Sequence, residues 1–208
     1  MSRTLWQRWL AVAAWLCLAS AGRLGVAAPV TVQTTDAAGR ALAGAVVAVE
    51  LGGVARSAAA GTRAEIAQRQ RTFVPSVLLV QTGTAVEFPN LDTVRHHVYS
   101  FSPPRPFELK LYAGRPAAPV VFDRAGVVTL GCNIHDQMVG TVVVVDTPLF
   151  GRTDDTGRIT LDLPPGEHRL RTWHPHMREG ADLRTQRLRV GPAGLGSLAV
   201  ALPVGEAP

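Results

Sequence analysis

From residue 29 onward the chain reads as short runs of β-branched and aliphatic residues broken by Gly, Pro, Asp and Asn, with no sustained helical period. VTVQTT, AVVAVEL, SVLLV, AVEFP, HHVYSF, FELKLY, VVFD, VVTLG and TVVVVD each predict a strand, and together they predict an all-β protein. In FELKLY, Phe107, Leu109 and Leu111 alternate with Glu108, Lys110 and Tyr112, which predicts a strand with the first three on its buried face. TVVVVD is apolar throughout, so it is expected to be central and covered on both faces. Only residues 58–70, AAAGTRAEIAQRQ, hold helix formers, in a composition that suits a short helix or a connector.

Past Thr147-Pro148 the pattern changes. TDDTGRITLDLPPGEHRLRTWHP predicts a turn at Asp155 to Gly157, a strand, a Pro-Pro-Gly turn and a second strand ending at Trp173, and RLRV and SLAVAL add two more. These read as a small separate sheet unit. The closing residues, VGEAP, are expected to be a loose tail. A chain of 208 residues has room for one ordinary domain, or a medium domain with a small companion.

The first stretch, MSRTLWQRWLAVAAWLCLASAGRLGVAAPV, has Arg3 and Arg8, an apolar run, and small residues at Ala19 and Ala21 or at Val26 and Ala28. That is the form of a secretory signal peptide over residues 1–28, its apolar run too short between charges to span a bilayer well; the alternative is an uncleaved anchor. Cleavage would leave a periplasmic protein with no membrane span. Cys17 lies inside this segment without the small residues that a lipoprotein signal needs, so lipidation is not expected.

The formal net charge of +5 rests on arginine, with Lys110 the only lysine, and the arginines are scattered singly. Nucleic-acid binders concentrate such charge in a stripe with aromatics interleaved, so nucleic acid is not an expected partner. Without the signal segment, Cys132 is the only cysteine. Exported proteins normally pair their cysteines, and a lone thiol in an oxidising compartment calls for something to occupy it, such as a soft metal.

GCNIHDQMVG, residues 131–140, places Cys132, His135 and Met138 at intervals of three, and FPNLDTVRHHVYS, residues 88–100, offers a histidine on a different strand. Two imidazoles and a thiolate in a trigonal arrangement, with a weak axial thioether, form the ligand set of a blue-copper site. Soft sulfur favours copper, and no fourth strong ligand is at hand for zinc. His96 and His97 are neighbours on one strand and face opposite sides, so only one of them can point to a metal.

The pattern N-x5-H-x-V followed by C-x2-H-x2-M resembles the cupredoxins, the short C-x2-H-x2-M loop being similar to that of amicyanin rather than to the longer loops of plastocyanin or azurin. FPNLDTVRHHVYSFSP, GCNIHDQM and TWHP look like the methylamine-utilisation, plastocyanin-like periplasmic proteins. The cupredoxin resemblance covers residues 64–146 and implies a Greek-key β-sandwich holding one type 1 copper, with His96, Cys132, His135 and Met138 as ligands. It also implies that Asn90 ties the two ligand-bearing segments together by a hydrogen bond. The motif position, six after Asn90 and two before Val98, selects His96, which leaves His97 as a surface imidazole. Leu130-Gly131 precede the cysteine where amicyanin and plastocyanin carry an aromatic, and Asp136-Gln137 replace an apolar, Pro-containing pair. Both departures bear on the potential and on the partner.

His174-Pro175-His176-Met177 reads either as a second copper-collecting motif or as ordinary surface residues, and Trp173 as core or interface packing. The resemblance implies a periplasmic electron carrier that meets redox partner proteins, with a link to methylamine or other amine oxidation. The alternative is a copper carrier or maturation factor for a periplasmic enzyme, and both need the same four residues. An oxidase would require further clusters of histidines, so no enzymatic activity is expected.

The flanks VTVQTTDAAGRALAGAVVAVEL and TDDTGRITLDLPPGEHRL look like the front and back of a carboxypeptidase-regulatory-like, prealbumin-type sandwich interrupted by the cupredoxin. Neither has enough strands to bury a core alone. Residues 30–51 are therefore expected to pack against residues 147–203, with Val47, Val49 and Leu51 facing Ile159, Leu161 and Leu170. The competing arrangement adds residues 30–51 to an edge of the cupredoxin sheet, so that residues 29–63 form an N-terminal β segment separate from the unit at 147–203.

Overall fold

The computed structural model describes residues 26–205, so the segment read as a signal peptide falls almost wholly outside the described residues. Every regular element among the described residues is a strand. A five-stranded sheet runs in the order β6 (Val77–Gln81), β12 (Gly140–Val145), β11 (Gly126–Cys132), β8 (His96–Ser100), β9 (Phe107–Tyr112). A three-stranded sheet, β10 (Val120–Phe122), β7 (Thr84–Glu87), β3 (Arg63–Glu65), shares a core with it that includes Phe88, Phe122, Val98, Leu130, Cys132 and Met138. The two sheets form a β-sandwich.

A second pair of sheets is built from both ends of the chain. One sheet is ordered β13 (Phe150–Arg152), β2 (Val46–Leu51), β15 (Gly166–Trp173), β16 (Arg184–Val190), and the other β14 (Arg158–Leu163), β1 (Ala28–Thr35), β17 (Gly196–Ala201). Between them lie Val30, Val32, Val47, Val49, Leu163 and Leu170. Val32 stands opposite Ile159, Val30 opposite Leu161 and Ala48 opposite Phe150, so residues 30–51 pair with the C-terminal strands rather than with an edge of the first sandwich. Leu170 does not face β2 across this core. It sits beside Val49 in the same sheet, because β15 is the hydrogen-bonded neighbour of β2, and only Ile159 and Leu161 come from the opposite sheet.

The two sandwiches meet through a third apolar cluster in which Val143 and Val145 of β12 join Val46, Ala48, Trp173, Met177 and Leu183. β12 therefore sends Val142 and Val144 into the first core and Val143 and Val145 into the junction. β2 divides its residues in the same way, Val47 and Val49 to one side and Val46 and Ala48 to the other. Burying a valine is worth about 1.5–3 kcal/mol, so two per face give each interface of β12 several kcal/mol. An all-apolar strand finds its place here because both faces are covered.

Three local expectations are corrected. Residues 58–70 form neither a helix nor a plain connector: Arg63–Glu65 pairs in parallel with β7, and β4 (Ala67–Arg69) forms a hairpin with β5 (Thr72–Val74). Ile66, Ala67 and Gln68 are buried in succession, and that burial outweighs a helix propensity of tenths of a kcal/mol per residue. In β9, Leu111 is exposed and Tyr112 turns inward, because Val98 pairs with Leu109 but His96 pairs with Tyr112. The extra residue is a β-bulge, which reverses the side-chain parity beyond it. The closing residues are tied down as far as Gly205: Val204 bridges Met177, and the Gly205 N–H donates to the His176 carbonyl at 3.0 Å.

Trp173 is buried in the junction cluster, with its indole N–H donating to the Ala181 carbonyl at 3.1 Å. Trp173→Ala is expected to lower stability by about 3–5 kcal/mol in urea denaturation. Phe101→Ala, at a side chain 84% exposed, is expected to change it by no more than about 0.5 kcal/mol.

Candidate metal centre

Strand parity assembles the site. Along β11 the residues Gly126, Val128, Leu130 and Cys132 face the core, and along β8 His96, Val98 and Ser100 do so. The two strands pair antiparallel with Cys132 opposite Val98, which brings the thiol and the His96 imidazole to the same end of one face. The loop after Cys132 returns to β12 with Leu130 opposite Gly140, and its seven residues carry His135 and Met138 back over that end. The Met138 N–H closes the turn on the His135 carbonyl at 2.9 Å.

The Cys132 sulfur lies 3.7 Å from His96 Nδ1 and 4.0 Å from His135 Nδ1, and the three donor atoms all lie within 4.8 Å of one another. His96 and Met138 are fully buried, Cys132 nearly so, and His135 is half-exposed. Cys132 is a free thiol. Three donors placed around one ion at roughly 2.0–2.3 Å, the range for imidazole nitrogen and thiolate sulfur, stand about 3.5–4.0 Å apart. The observed sulfur–nitrogen separations match that triangle, so the donor set fits a trigonal metal. His97 points away from it: its Nε2 lies 2.9 Å from Glu108 of β9, and its ring meets Tyr99 edge-on.

Asp92 was not among the residues singled out from the sequence, and it organises the site. One of its carboxylate oxygens accepts from the Gln70 N–H at 2.6 Å, while the other accepts from the Arg71 N–H at 2.9 Å and from His96 Nε2 at 2.8 Å. Burial pushes the Asp92 carboxyl up, but the Arg71 amide, the His96 ring and the Gln70 amide together hold it below the ordinary carboxylate value. The only signal in the sequence is an aspartate four residues before the histidine, and nothing in that spacing shows that Gln70 and Arg71 lie beside it.

Asn90 plays a different part from the one the resemblance implies. Its side-chain amide donates to the carbonyls of Val94 at 2.8 Å and Tyr112 at 3.0 Å, and its oxygen accepts from the Asp92 N–H at 2.9 Å. It thus braces the loop before His96 against β9. The two segments that carry His96 and Cys132 are joined instead through the backbone, by the β8–β11 pairing and by the Asn133 N–H donating to the His97 carbonyl at 3.1 Å. The reason is distance along the sheet: Asn90 faces the β9 side of β8, and Cys132 lies on the β11 side.

Gly131 is required by close approach. A Cβ there would stand 2.8 Å from the Tyr99 ring, so the space outside the strand before Cys132 is filled by an aromatic from the neighbouring strand. His174 and His176 do not form an open donor pair. His174 donates from Nε2 toward the Ala43 carbonyl at 3.1 Å and accepts the His176 N–H on Nδ1 at 3.1 Å, and Met177 is packed in the junction core. Burial, opposed by the Ala43 hydrogen bond and aided by the neighbouring His176, lowers the His174 pKa.

No protein-family model and no curated protein matches the chain. Among solved structures it is similar to a copper-containing nitrite reductase from Thermus scotoductus, at 24% identity and TM-score 0.37, over 43% of this chain and 25% of that one. It is also similar to a mutant amicyanin in its reduced Cu(I) form, at 24% identity and TM-score 0.35, over 42% of this chain and 85% of that one. A purple cupredoxin from Nitrosopumilus maritimus matches at 24% identity and TM-score 0.34, over 40% of this chain and 98% of that one.

Tyr112, opposite His96 in the sheet, donates its hydroxyl to the Phe88 carbonyl at 2.7 Å. Burial pushes its phenol up to about 12, with the Gln68 hydrogen bond opposing and the nearby Cys132 charge adding. A raised phenol favours the folded state while it is protonated. Its contribution is full below pH 10.0, the ordinary value, and is lost as pH rises to about 12. Titration of phenolate absorbance is expected to show a late transition near that pH, and Tyr112→Phe should remove it and flatten the loss of stability over the same window.

Proposed function

We propose that this protein is a periplasmic type 1 copper protein that carries electrons, built on a cupredoxin sandwich. In this reading His96, Cys132 and His135 are the strong ligands and Met138 is the weak axial one. The observation that carries the proposal is the triangle of one sulfur and two Nδ1 atoms, buried at Cys132 and His96 and open to solvent only at His135, with separations of 3.7 and 4.0 Å from the sulfur. Bound there, copper supplies a one-electron couple.

The chain's own part is to hold one geometry for both oxidation states. His96 is fixed from behind by Asp92, Cys132 by the β8–β11 pairing, and the His135 turn by the Met138 N–H. Rings and sulfur that cannot swing need little rearrangement when the charge at the site changes. Met138 and the surrounding core exclude water, and the half-exposed His135 is the edge of the site nearest to solvent. Exposed Ile134 and Val139 on either side of it give a redox partner protein an apolar seat. The other buried imidazoles are engaged within the protein, His168 between the Gly52 N–H and the Pro164 carbonyl and His174 with Ala43, which supports a carrier over a copper enzyme. A place in methylamine or other amine oxidation remains part of this proposal through the sequence resemblance.

Adding Cu(II) to the protein is expected to produce an intense thiolate-to-copper absorption band that disappears and returns on cycles of reduction and oxidation. Cys132→Ser and His96→Ala should abolish the band, while His97→Ala should keep it. Met138→Leu should keep the colour with an altered potential, since an axial thioether is long and weak. A blue Cys132→Ser protein would overturn the ligand assignment. Rapid handover of Cu(I) to a copper-free acceptor enzyme, without reversible cycling, would overturn electron transfer in favour of copper delivery or enzyme maturation.

A further inference from the structure

Gln70 and Arg71 form the two-residue tip of the β4–β5 hairpin, with Arg69 opposite Thr72, and both have positive φ, 52° and 56°. A tip of that shape is ordinarily filled by Asn-Gly or Gly-Gly, because a side chain at positive φ is disfavoured. Here neither position is glycine, and the two tip amides are both captured by Asp92, at 2.6 and 2.9 Å. The hairpin is further strapped to the same loop by the Gln68 N–H on the Pro89 carbonyl at 2.8 Å and the Leu91 N–H on the Gln68 carbonyl at 2.9 Å. Asp92's own N–H is held by Asn90 at 2.9 Å. The carboxylate is thus held by two tip amides, its backbone by Asn90, and it presents one oxygen to His96.

That oxygen decides which imidazole nitrogen is free. A carboxylate only accepts, so the proton of the buried His96 ring stays on Nε2, 2.8 Å from Asp92, and the lone pair stays on Nδ1, which faces the Cys132 sulfur at 3.7 Å. We infer that Asp92 is a positioning residue through which the Gln70–Arg71 hairpin sets the tautomer and donor strength of the His96 imidazole. The Gln70–Arg71 tip lies more than twenty residues before His96 in sequence, and its two backbone amides meet His96 through the one carboxylate that they share with the ring. An imidazole that donates to a fixed anion is a stronger donor, and it favours the more highly charged state of a metal that it holds. This last consequence rests on the copper reading; the tautomer does not.

The test uses a parent in which the tip no longer needs the carboxylate for its own stability. Gln70→Asn with Arg71→Gly gives an Asn-Gly turn that adopts positive φ unaided and keeps both backbone N–H groups. In the metal-free, reduced protein, nitrogen NMR of the histidine rings is expected to show His96 protonated on Nε2 alone, both in the natural sequence and in this parent. Adding Asp92→Ala to the parent should produce a mixture of the two tautomers while the fold is retained. Loaded with copper, that variant is expected to bind the metal roughly 10–100-fold more weakly and to have a higher reduction potential than its parent. A His96 ring protonated on Nδ1 in the natural sequence, or a tautomer unchanged by Asp92→Ala, overturns the inference. If the parent gives no thiolate-to-copper band, the copper reading fails, and the metal-free NMR comparison still decides the role of Asp92.

Discussion

The molecule depends on one strand being buried from both sides. β12 is the return strand of the Cys132–Met138 loop, so its position determines where that loop ends. Val142 and Val144 hold it to the core beneath the donor triangle, and Val143 and Val145 hold it to the junction with β2, Trp173 and Met177. A strand with one wet face has a register set by alternation; a strand with two dry faces has it set by what covers each face. The second pair of sheets is therefore a wall of the first sandwich as well as an appendage. It takes water away from the outer face of the strand on which the Cys132–Met138 loop is anchored.

At the site, geometry comes from three devices. Strand pairing sets the separation of Cys132 from His96, a turn closed by the Met138 N–H sets His135, and Asp92 sets the rotation of the His96 ring. The first two are local to one sheet. The third reaches out to a hairpin earlier in the chain, whose tip amides and the imidazole share one carboxylate. The partly buried Asp92 carboxylate accepts three hydrogen bonds, at least one on each oxygen, which offsets what it loses in contact with water.

Where local reading and structure part, the cause is in each case something that period and propensity do not contain. Leu111 and Tyr112 exchange faces at a bulge, which depends on how β9 is paired with β8 rather than on the alternation within FELKLY. Residues 58–70 become strands because Ile66 and Gln68 have a core to enter, although the same letters suit a helix. Asn90 braces β9 instead of the cysteine segment, since the loop that carries it passes on the β9 side. The apparent copper-collecting motif at His174 to Met177 is consumed by packing and by backbone hydrogen bonds.

By itself the sequence determined the all-β class, the strandlike runs, the single cysteine past residue 28, and the grouping of cysteine, histidine and methionine at intervals of three. These follow from side-chain period, β-branching and donor chemistry, which are properties of neighbours along the chain. That His96 rather than His97 faces Cys132 was legible too, because parity on a strand is local once the motif supplies the reference. The tertiary structure alone decided which strands share a sheet across a gap of more than a hundred residues, that β12 is covered on both faces, and that Asp92 holds the His96 ring. Such contacts join segments whose separation in sequence carries no record of their distance in space. They are chosen by the burial and hydrogen-bond matching of the whole molecule at once.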